Sequence, residues 1–502
     1  MAETTAVHAP ENQRLQRDRL SLLEVVMSGL VQIAPASSLI LVTALMAGLA
    51  GASVPLVLLL AMLGAAATGN ALAQFSRIWP SSGSFITFIS RAVSPGLGLA
   101  VAVVAIVGYV VAFAGIYLFV GQFILTEIFK TDATTTATVI TGVVYGLLVL
   151  IPVIIGLQMS MRLAIAMYAL EVTIVLAISF AILVQGGDHG LSTEPFRFGD
   201  VGTKGVASAL ALAVLAFVGF EAPAPLAEES RNPRRNLPLA IMIGILVSGG
   251  IYVLGSYASI VAFPSADAFA NDPIPFTTAA DRFISPLSKV ITLLFITSIS
   301  ASFMMANTQT SRVVFNGARE GLWFRVLANV HPRFQTPWLA ATAFVVPSLV
   351  IAAVSPLFSD VTTASGLLST WGTLGVILMY AMTNLALVVL WFRNRRAGVT
   401  RPVLTWLVIP IVGMSVWAVP YWSSFQAGQD PPFDKLPWYF AGLLTLGVVY
   451  AVVLRLRRPD LADSAGSIVM GEVTAETHVA AGVPPAGPDG PPPTQPRTGA
   501  GV

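Results

Sequence analysis

The chain has no cysteine. A disulfide framework, a thiolate metal site and a cysteine nucleophile are therefore all excluded. Charge is almost as scarce. Only 10% of the 502 residues are Asp, Glu, Lys or Arg, while 55% are hydrophobic. A soluble globular chain carries roughly 25% charge, and so few charges cannot cover so much apolar surface. The composition defines a polytopic, all-α membrane protein. The four histidines, His8, His189, His331 and His478, are scattered without metal-ligand spacing. There is no Gly-rich Lys-Ser/Thr phosphate loop, so an ATP-driven pump is not expected. With no nucleophile–base pair and no metal set, the expectation is a non-enzyme with no cofactor, no metal and no nucleic-acid partner.

What the chain does have is long apolar runs. A helix crosses the hydrocarbon with about 20 apolar residues. About twelve such segments are read here: 22–49, 54–75, 96–128, 137–155, 163–184, 206–226, 237–263, 287–314, 339–354, 363–392, 403–422 and 436–454. The first is too long for a signal-peptide core of about 7–15 residues and is expected to be retained. Cytoplasmic loops are enriched in Lys and Arg. With the N-terminus inside, inner segments collect 20 of the 27 basic residues, outer ones 6, and Arg497 lies in the tail. Both termini are therefore expected in the cytoplasm of a cell-membrane protein. Residues 1–21 read as a polar tail and 22–458 as the transmembrane domain. Residues 459–502, which include "GVPPAGPDGPPPTQPRTGAGV", read as a disordered cytoplasmic tail.

Two spans interrupt themselves. The first carries "QIAPASS" (Gln32–Ser38) and the sixth "GFEAPAP" (Gly219–Pro225). Proline removes a backbone donor and clashes with the preceding turn. In lipid the freed carbonyls find no water, so such breaks survive only inside protein or along a wet cavity. The breaks lie five spans apart. Since five is odd, the two halves run with opposite topology: repeat one over about 22–185, repeat two over about 204–392, and extra helices over about 403–454. Paired interrupted helices in inverted halves point to a transporter site at the midplane.

Three stretches then resemble the amino acid–polyamine–organocation permeases. "GFEAPAPLAEESRNPRRNLPLAI" (Gly219–Ile241) is similar to their sixth helix and the loop after it. "RIWPSSGSFITFISRAVSPGLG" (Arg77–Gly98) is similar to their loop after the second helix, with Gly83-Ser84 where two glycines are usual. "NTQTSRVVFNGAREGLWFRVLANVHPRFQTPWLA" (Asn307–Ala340) is similar to their eighth helix and the following loop. The likeness runs from about Leu22 to Leu454. It implies a LeuT-like fold of inverted five-plus-five helix repeats with two C-terminal helices. It also implies secondary transport of an amino acid or amine. The family's Gly-Ser-Gly run at the first break is here Ile33-Ala34-Pro35-Ala36-Ser37.

A small zwitterion at mid-membrane needs amide donors for its carboxylate, which a half-helix N-terminus offers, and carbonyls for its ammonium. Ala36, Ser37 and Ser38, after the break at Ala34 and Pro35, are the expected donors. Carbonyls near Ile33 and Phe217–Gly219 are the expected acceptors, with Phe217 and Phe220 packing on the substrate. Glu221 sits midway into a span and is functional by default. Glu171 is the other intramembrane carboxylate. The resemblance places it where many relatives carry a lysine whose ammonium stands in for a sodium ion. Ser298 and Ser302 are its expected neighbours. Glu171 or Glu221 is thus the expected site of coupling to a proton or another ion. Arg231, Arg234 and Arg235 read as topology anchors, or as an inner gate with Glu228 or Glu229. Tyr109, Tyr117 and Trp371 read chiefly as packing aromatics. Two rivals remain: an inorganic cation transporter on the same scaffold, and a membrane sensor that carries nothing.

Overall fold

The computed structural model describes residues 19–188, 190–199, 201–272, 274–284, 288–426, 428–429 and 431–469. The fold is helical, and its elements follow the apolar runs in order. The first span is two helices, α1 (Leu22–Ile33) and α2 (Pro35–Ala50), followed by α3 (Val54–Ile78), α4 (Phe85–Ala92), α5 (Pro95–Phe123), α6 (Thr135–Ile155) and α7 (Leu157–Gln185). The sixth span begins as α8 (Gly202–Ala216) and ends in irregular turns. There follow α9 (Pro233–Val261), the short α10 (Ala266–Ala270) and α11 (Pro275–Phe283), α12 (Ser288–Arg319), α13 (Trp338–Val354), α14 (Val361–Arg396), α15 (Ile409–Ser424), α16 (Leu436–Arg457) and α17 (Pro459–Asp463). Among the described residues, eleven helices are long and apolar enough to cross a membrane, and a shorter apolar helix opens the sixth span. Leu148, Val184, Leu246, Val350 and Val449 face outward from the bundle. The protein is a multi-pass membrane protein.

Both breaks have local causes. Ala34 adopts a left-handed φ of 51°, and Pro35 then opens α2, where its missing N–H costs nothing. In the sixth span Gly219 takes φ 112°, a conformation side chains resist. A Cβ at Gly219 would lie 2.6 Å from Cγ of Gln32, so the two breaks touch. Small residues also bring α5 against α14. A Cβ at Gly108 would lie 2.7 Å from the Gly372 carbonyl, the close approach that holds helices together where lipid supplies no hydrophobic force.

One end of the bundle gathers the charge. Leu20 and Ser230 form a two-residue bridge: Leu20 N–H donates to the Glu229 carbonyl at 2.8 Å, and Arg231 N–H donates to the Leu20 carbonyl at 3.0 Å. Within the expected tail, residues 459–469 depart from disorder. They form α17 and a strap with Ala462 and Ala465 buried. The reason is Glu320, which accepts the Gly466 amide at 3.0 Å and the Ile468 amide at 3.1 Å. Ser81 Oγ donates to the Ile468 carbonyl at 2.6 Å. Burial raises the Glu320 carboxyl above its usual range, against the pull of those amides. The Pro- and Gly-rich remainder of the tail lies outside the described residues.

Candidate substrate site

At the first break every donor of the opening turn of α2 already has a partner. Pro35 has none to give. Ala36 N–H donates to Glu171 Oε1 at 2.5 Å, and Ser37 N–H donates to Ser298 Oγ at 3.1 Å. Ser38 N–H returns to the Ala34 carbonyl at 3.1 Å. The hydroxyls of Ser37 and Ser38, expected to face a ligand, donate to the Ala34 and Ile33 carbonyls instead. The carbonyls are engaged too. Ile33 accepts Tyr252 OH at 2.8 Å, and Gln32 accepts Ser302 Oγ at 2.6 Å. Tyr252 OH also reaches the Ala216 carbonyl at 2.7 Å, tying the last turn of α8 to the first break.

Glu171, on α7, is 1% exposed. Ser298 Oγ donates to its Oε1 at 2.9 Å, so Glu171, Ser298 and the start of α2 form one network. Ser302 lies one turn further along α12, on the Gln32 carbonyl. Of the two expected neighbours, Ser298 bonds Glu171, while Ser302 bonds backbone on the other side of the break.

At the second break Glu221 is held by neutral donors alone. Tyr109 OH donates to Oε1 and Tyr380 OH to Oε2, the latter at 2.6 Å. Gly219 N–H donates to Oε2 at 3.1 Å. Beside it is a cavity of about 20 Å³, room for roughly one water, lined by Tyr109, Glu221, Pro225, Gln309, Thr310 and Ser84 among others. Gln32 Oε1 and Gln309 Nε2 are buried without hydrogen-bond partners. Buried polar atoms are rarely left so. Phe217 and Phe220 are fully buried and lie off the cavity. Phe217 packs edge-on to Tyr252, 5.2 Å between centroids, and Phe220 packs on Tyr380 at 4.8 Å. They brace the rings of Tyr252 and Tyr380.

Tyr109 had a reading as packing, and Tyr380 and Tyr252 carried none. Their signal is chemical: a tyrosine hydroxyl in an apolar span needs a partner, and the scarce polar groups of this chain are its carboxylates and broken backbone.

At the charged end two buried ion pairs tie the 228–229 segment to α12. Arg312 binds Glu229 through Nε and Nη2, both side chains 3% exposed. Arg319 clamps Glu228 with two nitrogens. Glu228 and Glu229 thus pair with α12, and not with Arg231, Arg234 or Arg235. At the opposite end a space of about 340 Å³ opens between α2, α8, α14 and α15, lined by Ser208, Thr370, Thr373, Trp422 and Gln426.

Broken helices with a buried carboxylate bonded at each break fit a membrane transporter. The description Amino acid permease fits residues 20–453 as a family model, most of the chain, and the protein belongs to that family. It is similar to the low-affinity putrescine importer PlaP of Escherichia coli (strain K12), 24% identical over 88% of this chain and 95% of that one. It is also similar to cationic amino acid transporter 4 of Homo sapiens, 29% identical over 45% of this chain and 34% of that one. The branched-chain amino acid permease BcaP of Bacillus subtilis (strain 168) is 30% identical over 40% of this chain and 43% of that one.

Proposed function

We propose that the chain is a secondary transporter that moves an amino acid or related amine across the cell membrane by alternating access, coupled to protons, with both termini cytoplasmic. The observation that carries the reading is the pair of buried carboxylates, Glu171 and Glu221, one at each helix break, both bonded to neutral donors and neither in an ion pair among the described residues. A carboxylate held by phenols, a serine and amides can take up and release a proton or an ammonium without breaking an ion pair. The names of the relatives, a putrescine importer and two amino acid carriers, agree with such a cargo.

Packing supports the inverted repeat. Exchange each span of one half for its counterpart in the other, first for sixth through fifth for tenth. The contact of α5 with α14 then becomes that of α12 with α7, and both are present. Likewise α1 on α9 becomes α8 on α3, and α13 on α5 becomes α6 on α12. The ion pairs at the charged end and the space at the opposite end fit one of the two states that alternating access needs.

The test is substrate-driven proton uptake in liposomes, with putrescine, lysine and leucine as probes. Wild type should acidify the lumen; Glu171→Gln or Glu221→Gln should carry cargo without protons or not at all. If both variants keep normal coupling, the proton reading is wrong. Flux of inorganic cations with no organic cargo would instead favour the ion transporter.

A further inference from the structure

The second link in specificity is which chemical class fits these breaks. At each break the amide that an α-amino acid's carboxylate would seek is already bonded to a carboxylate of the protein. Ala36 N–H is taken by Glu171 and Gly219 N–H by Glu221. Ser37 N–H is taken by Ser298, itself bonded to Glu171. No buried cation offsets this. Of the described arginines and lysines only Arg312 is fully buried, and it is paired with Glu229. A substrate carboxylate would therefore enter without a charged partner and with the break amides already taken, which is costly to desolvate.

The groups left over favour the opposite charge. Gln32 is 7% exposed, its Oε1 is an acceptor with no donor, and it lies against Gly219. Two carboxylates, two phenolic oxygens and that amide oxygen suit ammonium groups. Gln309 Nε2 is an unpartnered donor, but it is neutral and supplies no charge.

We infer that Glu171 sets the substrate class: by holding the amide at the first break it excludes α-amino acids and selects aliphatic amines that carry no carboxylate. The inference rests on the reading of the two breaks as the substrate site. The protein itself supplies, through Glu171, the acceptor that an amino acid's carboxylate would bring to that amide. The ammonium end then meets Glu221, Tyr109 and Tyr380, and a second ammonium of a diamine meets Glu171.

Matched pairs test this, because putrescine and ornithine, cadaverine and lysine, and agmatine and arginine each differ by one carboxylate. Binding is read as a thermal shift of the purified full-length protein. In wild type each amine should bind about 100-fold more tightly than its amino acid. Glu171→Ala frees Ala36 N–H and should shrink that ratio at least about tenfold. Glu171→Gln, whose amide oxygen still accepts, should preserve the preference. If Glu171→Ala does not fold, Glu171→Asp, one methylene shorter, carries the same expectation. Ornithine binding as tightly as putrescine in wild type overturns the inference and leaves the site reading standing. A ratio unchanged in the Ala or Asp variant overturns the role of Glu171. Silence with all six ligands overturns both the inference and the site.

Discussion

Five glutamates are buried among the described residues, and four of them fall in two regions that solve the same problem in opposite ways. Glu228 and Glu229, at the charged end, each bind an arginine of α12. Glu171 and Glu221, at the helix breaks, bind phenols, a serine and backbone amides. In the end region, removing an arginine leaves a carboxylate uncompensated, so those carboxylates depend on partners that a separation of the segments would take away. The middle region has no such partner to lose. It can stay in place while a proton or an ammonium comes and goes. One pair of carboxylates is suited to a gate and the other to a site.

The contrast can be broken experimentally. The largest effect is expected from Arg312→Ala, which strands Glu229 at 3% exposure and should destabilise the protein by about 3–5 kcal/mol in a detergent melt. Arg312→Met with Glu229→Gln should restore most of it; if it does not, the pair is more than a charge match. Glu221→Gln comes second, because it keeps the shape and one acceptor. The melt should move by less than for Arg312→Ala, while putrescine-induced stabilisation should disappear. A melt that falls as far as that of Arg312→Ala would erase the distinction between the regions. Tyr380→Phe removes one hydrogen bond to Glu221 and should weaken amine binding by roughly 5- to 10-fold, about 1 kcal/mol.

The smallest effect lies outside both regions and serves as a control. Hydrogen bonds from the Thr363 hydroxyl and amide hold the Asp360 carboxyl below its usual range, where it caps α14. A lowered carboxylate stabilises above the unfolded value of about 3.9 and loses its contribution as pH falls through the folded one. Asp360→Ala should therefore speed amide exchange in the first turn of α14 near neutral pH, with the difference from wild type fading as pH falls through the lowered carboxyl value. Charge at the middle or the end of the bundle should leave that profile unmoved.

Much of this was legible in the sequence. Apolar runs of the right length fix twelve segments, since lipid demands that each satisfy its own backbone. The breaks at Ala34–Pro35 and Gly219 are legible because proline and glycine act locally. The closeness of Glu171 and Ser298 followed only from the resemblance. What escaped were pairings across the fold. Tyr109, Tyr380 and Tyr252 find their partners 112, 159 and 219 positions away, and no local periodicity records that. The same is true of Arg312 with Glu229, 83 positions apart, since the nearer arginines at 231, 234 and 235 made an equally good pattern. Ala36, Ser37 and Ser38 were read as open donors because a sequence shows a helix start without showing what already sits on it.

The bridge between Leu20 and Ser230 carries a mechanical consequence. Two backbone bonds join the entrance of the first span to the exit of the sixth, beside Glu229 and its arginine. The inner half of each broken span is thereby yoked to the other, with Ala34 and Gly219 as the two axles. A displacement of α1 at that end carries the 227–231 segment with it, so the two have one freedom of movement between them.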